Sequence, residues 1–482
     1  MSLILVLLLP LIAVLLSLLP LEKRFAPIIT LTTQFTIFVL AVCMSLQVST
    51  GRPVIALANW IELDGLSALV LLLVTFVGLT AALFSWGYIF AHEKVARRIR
   101  SYYAQFNLFV FALVAVPVLV EPAFVWIAVE FTAMFSVLLV AYGNTREALE
   151  AAWKYIVLMF IGAVIALLGF LILFWAQKNA GGGLYTWDGL RLSAKHMSPV
   201  LLKTAFLLIL IGFGTKVGFV PLHTWLPDAH SQAPAPVCSL LSAVKTTVAL
   251  YAILRLLPLL PAAPIDIWMQ TIGLISVGVA AFLLLQVRDY KRLFAYSTVE
   301  HMGIIFVAAG MGGKAGSYGA LMQMLSHGLT KSFCFLSTGA ILLVFGTREI
   351  GKIRGLLRAS PIAGVALLFG ALAIGGAPPF AVFLSEFSIF RTGVAQHHYL
   401  VTALLIIFIT VAFFGILRHV NQMVFGKVEQ SATLVHGTIP FSCTLALALA
   451  AIPVIVFGVY EPAPLHKLLT LAVSNLTGGV SP

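Results

Sequence analysis

Apolar runs of about 20 residues, the length of helix that crosses the hydrocarbon core of a bilayer, succeed one another along nearly the whole chain. They are about twice as long as the strands of a membrane β-barrel. Because lipid offers no hydrogen-bond partner to the backbone, only helices and closed barrels span it. Charged residues make up 10% of the chain, against about 25% in soluble domains. The sequence therefore predicts an all-α integral membrane protein.

We identify fourteen such runs, numbered here as spans 1 to 14. They cover residues 2–20, 26–48, 65–90, 102–120, 122–143, 152–176, 200–226, 234–258, 265–287, 293–311, 317–346, 361–390, 399–425 and 438–460. Because the number is even, both termini are expected on the same side of the membrane. The predicted units are 1–100 with spans 1–3, 101–260 with spans 4–8, 261–430 with spans 9–13, and 431–482 with span 14 and a short C-terminal tail.

The basic residues indicate which side that is. The net charge is +12, and 17 of the 29 Lys and Arg residues fall in the loops that are inside if the termini are outside, while nine fall in the outer loops. Loops on the cytoplasmic side are enriched in Lys and Arg. We therefore expect a multi-pass protein with both termini on the outer, periplasmic side. The positive charge needs no nucleic acid partner to explain it.

Several classes of function are disfavoured. No soluble domain interrupts the spans, and no Walker motif is present, so ATP-driven transport within this chain is excluded. The cysteines stand apart without the spacing of a zinc or iron–sulfur site. No haem, flavin or nicotinamide motif appears either. We expect no metal and no redox cofactor in this chain, and we read its cysteines as small packing residues.

Ionisable residues nevertheless occur in the middle of several spans. They are Glu130, Lys216, Lys245, Glu300, His301, His327, Lys331 and Glu386. Such groups are costly at membrane depth and are candidates for function. Any one of them could be a structural ion pair or a residue that reaches the surface. As a set, acids, bases and histidines alternate along successive spans, which is the pattern that a proton relay requires.

Two spans carry helix-breaking residues beside these charges. Span 7 contains "GTKVGFVPLHTW" with Pro221, and span 12, five spans later, contains "AIGGAPPFAVFLSEF" with Pro378 and Pro379. Proline inside a helix removes a backbone hydrogen bond and kinks or breaks the helix. Matching breaks in two halves of a chain indicate a transport pathway between internal repeats. We therefore expect two inverted five-helix repeats, spans 4–8 and spans 9–13.

These stretches also resemble a known family. The segments "VEFTAMFSVLLV", "EAAWKYIVLM", "GFGTKVGFVPLHTWLPDAHSQAPAPVCSLLSAVKTTVALYAILR", "DYKRLFAYSTVEHMGII", "LSHGLTKSFCFLSTGAIL" and "GGAPPFAVFLSEFSIF" are similar to the antiporter-like membrane subunits of complex I. The same family serves cation/proton antiporters and membrane-bound group 4 hydrogenases. The resemblance extends over roughly residues 60–425, and the "AAWKY" and "GGAPPF…LSEF" segments look most like component F of hydrogenase-4-type complexes.

The resemblance implies a fold and roles for particular residues. It implies fourteen transmembrane helices, two inverted five-helix repeats, and breaks in the seventh and twelfth helices. Glu130 matches the glutamate that partners the lysine of the seventh helix, here Lys216. Lys245 matches the central position of the eighth helix, and Glu386 the terminal site of the twelfth. Several family members have lysine at that last site, so this chain carries a different charge there.

The function that follows is proton translocation by a non-redox subunit of a redox-driven complex in a bacterial or archaeal cytoplasmic (inner) membrane. Nickel–iron and iron–sulfur centres are expected in partner chains, which include other antiporter-like and small membrane subunits and a peripheral arm. One alternative is a subunit of a Na⁺/H⁺ antiporter without redox coupling, and another is a membrane scaffold with unused charges.

Trp225 suits a membrane–water interface. His223, Asp228 and His230 are candidates for proton uptake, with helix capping an equal alternative for Asp228 and His230.

Overall fold

In this computed structural model, the described residues are 1–20, 22–91, 98–260, 262–426 and 437–478. Three of the basic residues assigned to the inner loops, Lys94, Arg97 and Lys427, lie outside the described residues. The same holds for the expected unit borders at 261 and at 430–431.

Helices dominate these ranges, as predicted, and those of ten or more residues are numbered α1 to α16. They are Ser2–Leu18, Phe25–Val48, Gly65–Ala91, Ile99–Val118, Pro122–Val140, Arg146–Asn179, Pro199–Val217, 235–254, Ala262–Leu284, Tyr290–Met311, Gly313–Phe345, Pro361–Ile374, Ala381–Ala395, Tyr399–Phe425, Phe441–Val459 and Ala463–Leu476. Within the described part, twelve helices are long and apolar enough to cross a membrane, and α1 and α12 are shorter apolar helices. The chain is a multi-pass membrane protein.

Both spans expected to be broken are interrupted. Helix α7 ends at Val217, and the chain becomes helical again only at Trp225–Gln232. Helix α12 ends at Ile374, and α13 begins at Ala381. Each interruption contains a glycine in the left-handed region, Gly218 at φ +94° and Gly376 at φ +74°. Side chains rarely adopt this conformation, so glycine is needed at both places.

The loops predicted to lie outside meet on one face of the helical bundle. A two-stranded hairpin, β1 (Val54–Ala56) and β2 (Ile61–Leu63), follows α2, and a short helix, Trp187–Ser193, follows α6. The Trp187 backbone N–H donates to Val120 O. Arg191 donates to Asn475 O on α16 at 2.9 Å. The hairpin, the short helix and α16 were not predicted, and α16 lies in the C-terminal tail that follows span 14.

The loops predicted to lie inside meet on the opposite face. Asp228, after the break in span 7, pairs with Arg292 at 2.6 Å and with Lys154 at 3.5 Å. Ser231 donates to Asp289 at 2.6 Å. Lys291 was counted as a loop cation, but it is buried and donates to Ala233 O at 2.6 Å. This last bond places a cation on the carbonyl end of a short helix, where it is favoured.

Reciprocal glycines let neighbouring helices approach closely in both halves. A Cβ on Gly162 of α6 would overlap Gly212 O of α7, and one on Gly212 would overlap Gly162 O. Gly273 of α9 and Gly303 of α10 are related in the same way. Small residues at helix contacts are typical of membrane proteins, where close packing replaces the hydrophobic effect as the source of association.

The assignment of sides can be tested with one residue from each face. Leu192 is 82% exposed, and the Lys352 side chain is 63% exposed. In a background with Cys43 replaced by Ser, we expect Leu192→Cys to react with a membrane-impermeant maleimide on intact spheroplasts. Lys352→Cys should react only after permeabilisation. The reverse pattern would contradict the orientation inferred from the basic loops.

Candidate functional site

The ion pair expected between spans 5 and 7 is present. Lys216 Nζ lies 3.0 Å from Glu130 Oε2, and it also donates to Met159 O at 3.4 Å. The lysine is fully buried, whereas the glutamate side chain is 22% exposed. The second carboxylate oxygen, Oε1, is buried and has no hydrogen-bond partner among the described residues. The pair therefore joins a fully buried lysine to a partly exposed carboxylate.

Among the described residues no carboxylate forms a salt bridge with Lys245, and aromatic rings and neutral atoms hold it instead. Its Nζ lies 3.9 Å from the centroid of the Trp225 ring and 4.9 Å from that of Tyr155. It donates to Met159 Sδ at 3.3 Å and to Lys216 O at 3.5 Å. A cation over a desolvated aromatic face is stabilised by about 2 kcal/mol. Met159 thus contacts both lysines, through its carbonyl and through its sulfur.

The prediction that Trp225 occupies a membrane–water interface is wrong. Trp225 is fully buried, and its Nε1 donates to Thr215 O at 2.8 Å. That carbonyl is free because α7 ends two residues later, at Val217. The break in span 7 therefore turns the indole inward, where it caps the end of one helix and covers Lys245.

A π turn in span 8 positions the next group. Residues Leu241–Lys245 form the π turn in α8, and Lys245 is its last residue. Such turns disturb the regular pattern of helix hydrogen bonds and are common at functional sites. His327 Nε2 lies 3.4 Å from Ser242 O in this turn. The π turn thus contains both Lys245 and the carbonyl that faces His327.

The two histidines of the set lie together. The ring centroids of His301 and His327 are 5.1 Å apart. His301 Nε2 lies 3.0 Å from Ile374 O, the last carbonyl of α12 before its break. Both broken helices therefore offer a carbonyl near their end to a titratable side chain, Lys216 O to Lys245 and Ile374 O to His301. Lys331 lies beside this pair and donates to Phe294 O at 2.7 Å and to Ser297 at 2.6 Å.

Glu386 lies against the break in span 12. A Cβ on Gly376 would overlap its Oε2, so the missing side chain makes room for the carboxyl group. The carboxyl group lines a cleft of about 300 Å³ with Phe383, Phe387 and Thr410. Glu300 is buried in α10, and within the described part of the chain its Oε2 has no hydrogen-bond partner. The Glu386 carboxyl group thus lies beside an opening between α13 and α14.

The three candidates for proton uptake are not equivalent. Asp228 is at the surface in ion pairs with Arg292 and Lys154. His223 lies in the break of span 7 and is 9% exposed. His230 is fully buried, with Nδ1 2.7 Å from Leu226 O, and no described residue forms a hydrogen bond with its Nε2. Their role stays a prediction, and His230 could exchange protons with water only through other groups.

Sequence reasoning missed a buried ion pair near the outer loops. Arg255, counted as a loop cation, is 5% exposed and donates two hydrogen bonds to Asp64, at 2.6 and 2.7 Å. It also donates to Tyr251 and Ser67. Burial raises the pKa of the Asp64 carboxyl, but Arg255 and the hydrogen bonds from Ser67 together outweigh burial and hold the pKa below its usual value. No motif marks this pair, because its members are 191 residues apart.

Comparison with known proteins shows which families this chain is similar to. The family described as NADH:quinone oxidoreductase/Mrp antiporter membrane subunits matches residues 120–415, and that described as the complex I chain 5 N-terminus matches residues 56–98. The hydrogenase-4 component F homolog of Methylacidiphilum infernorum is 37% identical over 412 residues, which are 83% of this chain and 85% of that protein.

Solved structures share the fold. A chain of the membrane-bound sulfane sulfur reductase, an archaeal respiratory membrane complex, superposes with a TM-score of 0.87 at 26% identity, over 98% of this chain and 97% of that one. A chain of the Mrp complex from Dietzia sp. DQ12-45-1b superposes with a TM-score of 0.87 at 20% identity, over 99% and 97%. This second likeness shows the fold alone.

The contact between Lys245 and Trp225 can be tested with a double-mutant cycle. We compare Trp225→Leu, Lys245→Met and the double variant by the free energy of unfolding in SDS-containing mixed micelles. Because the ring stabilises the ammonium, we expect a coupling energy of about 1–2 kcal/mol. Phe38→Leu and Lys203→Met serve as the control cycle, since the structure as described places no cation–π contact between these two residues. Additive effects, within about 0.5 kcal/mol, would contradict the contact.

Proposed function

Because the chain belongs to the family of NADH:quinone oxidoreductase and Mrp antiporter membrane subunits, we propose that it translocates protons within a multisubunit, redox-driven complex. The proposed complex is hydrogenase-4-like, formate hydrogenlyase-like or NADH:quinone oxidoreductase-like. Electron transfer occurs in partner chains, where the nickel–iron and iron–sulfur centres lie. Those partners comprise other membrane subunits and a peripheral arm, and this chain supplies the proton path.

One observation carries the proposal. Titratable side chains form a buried row that runs through the bundle from Glu130 to Glu386. Its members are Glu130, Lys216, Lys245, His327, His301 and Glu386, with Lys331 and Glu300 beside it. Beyond the Glu130–Lys216 pair, the contacts described for Lys245, His327 and His301 are with aromatic rings, backbone carbonyls and other uncharged groups. A scaffold with unused charges would gain nothing from burying so many ionisable groups, which are costly at this depth.

The first steps follow from the contacts of the two lysines. Lys216 and Lys245 share Met159, so a proton on one disfavours a proton on the other through charge repulsion. When Glu130 is close, it keeps the charge on Lys216. When the Glu130–Lys216 pair opens, the charge is favoured on Lys245, which the rings of Trp225 and Tyr155 stabilise. A change in the distance between Glu130 and Lys216 therefore moves a proton from Lys216 to Lys245.

The finer architecture belongs to the same proposal. Spans 1 and 12 complete fourteen crossings, spans 4–8 and 9–13 form inverted repeats, and both termini lie on the outer side of a bacterial or archaeal cytoplasmic membrane. The matching interruptions at Gly218 and Gly376, and the carbonyls that each interruption offers to the row, support this arrangement.

A Na⁺/H⁺ antiporter subunit without redox coupling is the second candidate. The family description that matches residues 120–415 names Mrp antiporters, and an Mrp chain shares the fold. Purification in mild detergent distinguishes the two candidates. Iron–sulfur and hydrogenase-like proteins that co-purify with this chain support the first, and only small membrane subunits support the second.

Replacement of Lys216 tests the proton path. Methionine keeps the bulk of the side chain but cannot hold a proton, so Lys216→Met should reduce proton movement to the passive leak of the vesicles. The complex is reconstituted in proteoliposomes, and proton movement and electron transfer are followed in the same preparation. Lys203→Met, on the same helix but outside the row, should keep the wild-type ratio of protons to electrons. A wild-type ratio in an assembled Lys216→Met complex would mean that Lys216 is structural.

A further inference from the structure

Met159, on α6, is an uncharged residue that contacts the first two lysines of the row. It is fully buried. Its carbonyl oxygen lies 3.4 Å from Lys216 Nζ, and its sulfur lies 3.3 Å from Lys245 Nζ. The close contact between Gly162 and Gly212 holds α6 against α7 about one helical turn away from these groups. The backbone and the side chain of one residue thus face two different cations.

The surroundings of Lys245 provide a partner for each of the three N–H groups of an ammonium. Met159 Sδ at 3.3 Å and Lys216 O at 3.5 Å are two acceptors, and the face of the Trp225 ring, centred 3.9 Å away, is the third. The Tyr155 ring, one turn before Met159 on α6, follows at 4.9 Å. All of these groups are neutral. The pocket therefore accommodates the charged form of Lys245 without a salt bridge.

Lys216 depends on Glu130 to a greater extent. Among the described residues its ammonium has two acceptors, Glu130 Oε2 at 3.0 Å and Met159 O at 3.4 Å. If Glu130 moves away, one acceptor remains for three N–H groups, and a buried charged donor without a partner is costly. Lys245 keeps its three partners under the same change. The comparison indicates which lysine holds the charge in each state of the Glu130–Lys216 pair.

A thioether has the properties that this position requires. Sulfur is polarisable and accepts hydrogen bonds weakly, so it can receive an N–H group and still pack among apolar atoms. Leucine would fill the same space, but it would leave one N–H group of a charged Lys245 without a partner. A carboxylate would favour the charged lysine strongly and oppose the release of its proton. Methionine supports the charge without fixing it.

We infer that Met159 is a positioning residue whose sulfur determines how readily Lys245 takes over the charge of Lys216. While Glu130 is close, Lys216 is the ammonium and Lys245 is the neutral amine. When Glu130 moves away, Lys216 loses one proton and Lys245 gains one, so the total charge of the two lysines is unchanged. The sulfur then accepts one of the three N–H groups of the new ammonium. This inference rests on the proposed function.

Two substitutions at Met159 distinguish this role from packing. Leucine is apolar and similar in volume, so a residue that only fills space should tolerate Met159→Leu and suffer from the buried amide of Met159→Gln. A residue that must accept a hydrogen bond shows the opposite order, because the amide oxygen of glutamine lies near the position of the sulfur. In the whole complex in proteoliposomes, we expect Met159→Leu to lower the ratio of protons to electrons by about threefold or more. Met159→Gln should retain a higher ratio than Met159→Leu.

Met423 provides matched controls. It is fully buried in α14 and is not a member of the row or a described partner of its lysines. Met423→Leu and Met423→Gln therefore measure the effect of the same two exchanges on assembly and on general packing. We expect both variants, once assembled, to keep the wild-type ratio of protons to electrons.

A double-mutant cycle tests the contact independently of transport. Met159→Leu, Lys245→Met and the double variant are compared by their equilibrium constants of unfolding in SDS-containing mixed micelles. If the sulfur holds the ammonium, the effects of the two substitutions are coupled by about threefold or more. If the two side chains only lie side by side, the effects multiply independently to within about twofold.

The outcomes separate this inference from the proposed function. If the wild-type complex moves no protons, the proposed function is overturned and this inference with it. If the wild type moves protons and an assembled Met159→Leu keeps the same ratio, only the role of Met159 is overturned. The same holds if Met159→Gln does no better than Met159→Leu. A lowered ratio in Met159→Leu and a higher one in Met159→Gln support the role. Should either variant fail to assemble, the double-mutant cycle decides: coupling supports the role, and independent effects overturn it.

Discussion

The interior of a bilayer provides no water, so the charges and the free carbonyls of this chain both need partners there, and a group left without one is costly. The two broken helices meet both needs at once. Trp225 and Lys245 form hydrogen bonds with carbonyls at the end of α7, and His301 forms one with the last carbonyl of α12. A helix end that would be costly in an apolar setting thereby becomes a binding site for a side chain that can carry a proton.

The structure uses charge differently at its surfaces and in its interior. Near the faces, carboxylates meet permanent or surface cations, as in Asp64 with Arg255 and Asp228 with Arg292. Arginine does not lose its proton, so these pairs hold loops and helices in place. In the interior, the groups beyond Glu130 and Lys216 are held by rings, carbonyls and a thioether. Neutral partners do not fix a charge as firmly as an opposite charge does, and such groups remain able to change their protonation state.

The helical fold, its two interruptions and the buried titratable residues could be predicted from the sequence, because each depends on a strong local signal. Apolar runs of helix length predicted the helical membrane fold, and Pro221 and Pro378 marked the interruptions correctly. Charges within apolar runs identified the titratable residues.

The partners of these residues were harder to predict, because they are close in space and distant in sequence. Trp225 was assigned to an interface because tryptophan is common there, whereas the break turns it onto Lys245. Met159 carries no charge and did not stand out. The Asp64–Arg255 pair was missed because a basic residue at the end of a span was read as part of a loop.

The central claim is that protons pass through the buried row, and Lys245 at its middle offers the most direct test. Lys245→Arg keeps a cation over the rings of Trp225 and Tyr155, but a guanidinium group does not release its proton. The measurement is the ratio of protons moved to electrons transferred by the reconstituted complex. If Lys245 is a relay, the arginine variant transfers electrons and moves no protons above the passive leak. If Lys245 is only a structural cation, the variant keeps the wild-type ratio, and that result would contradict the account.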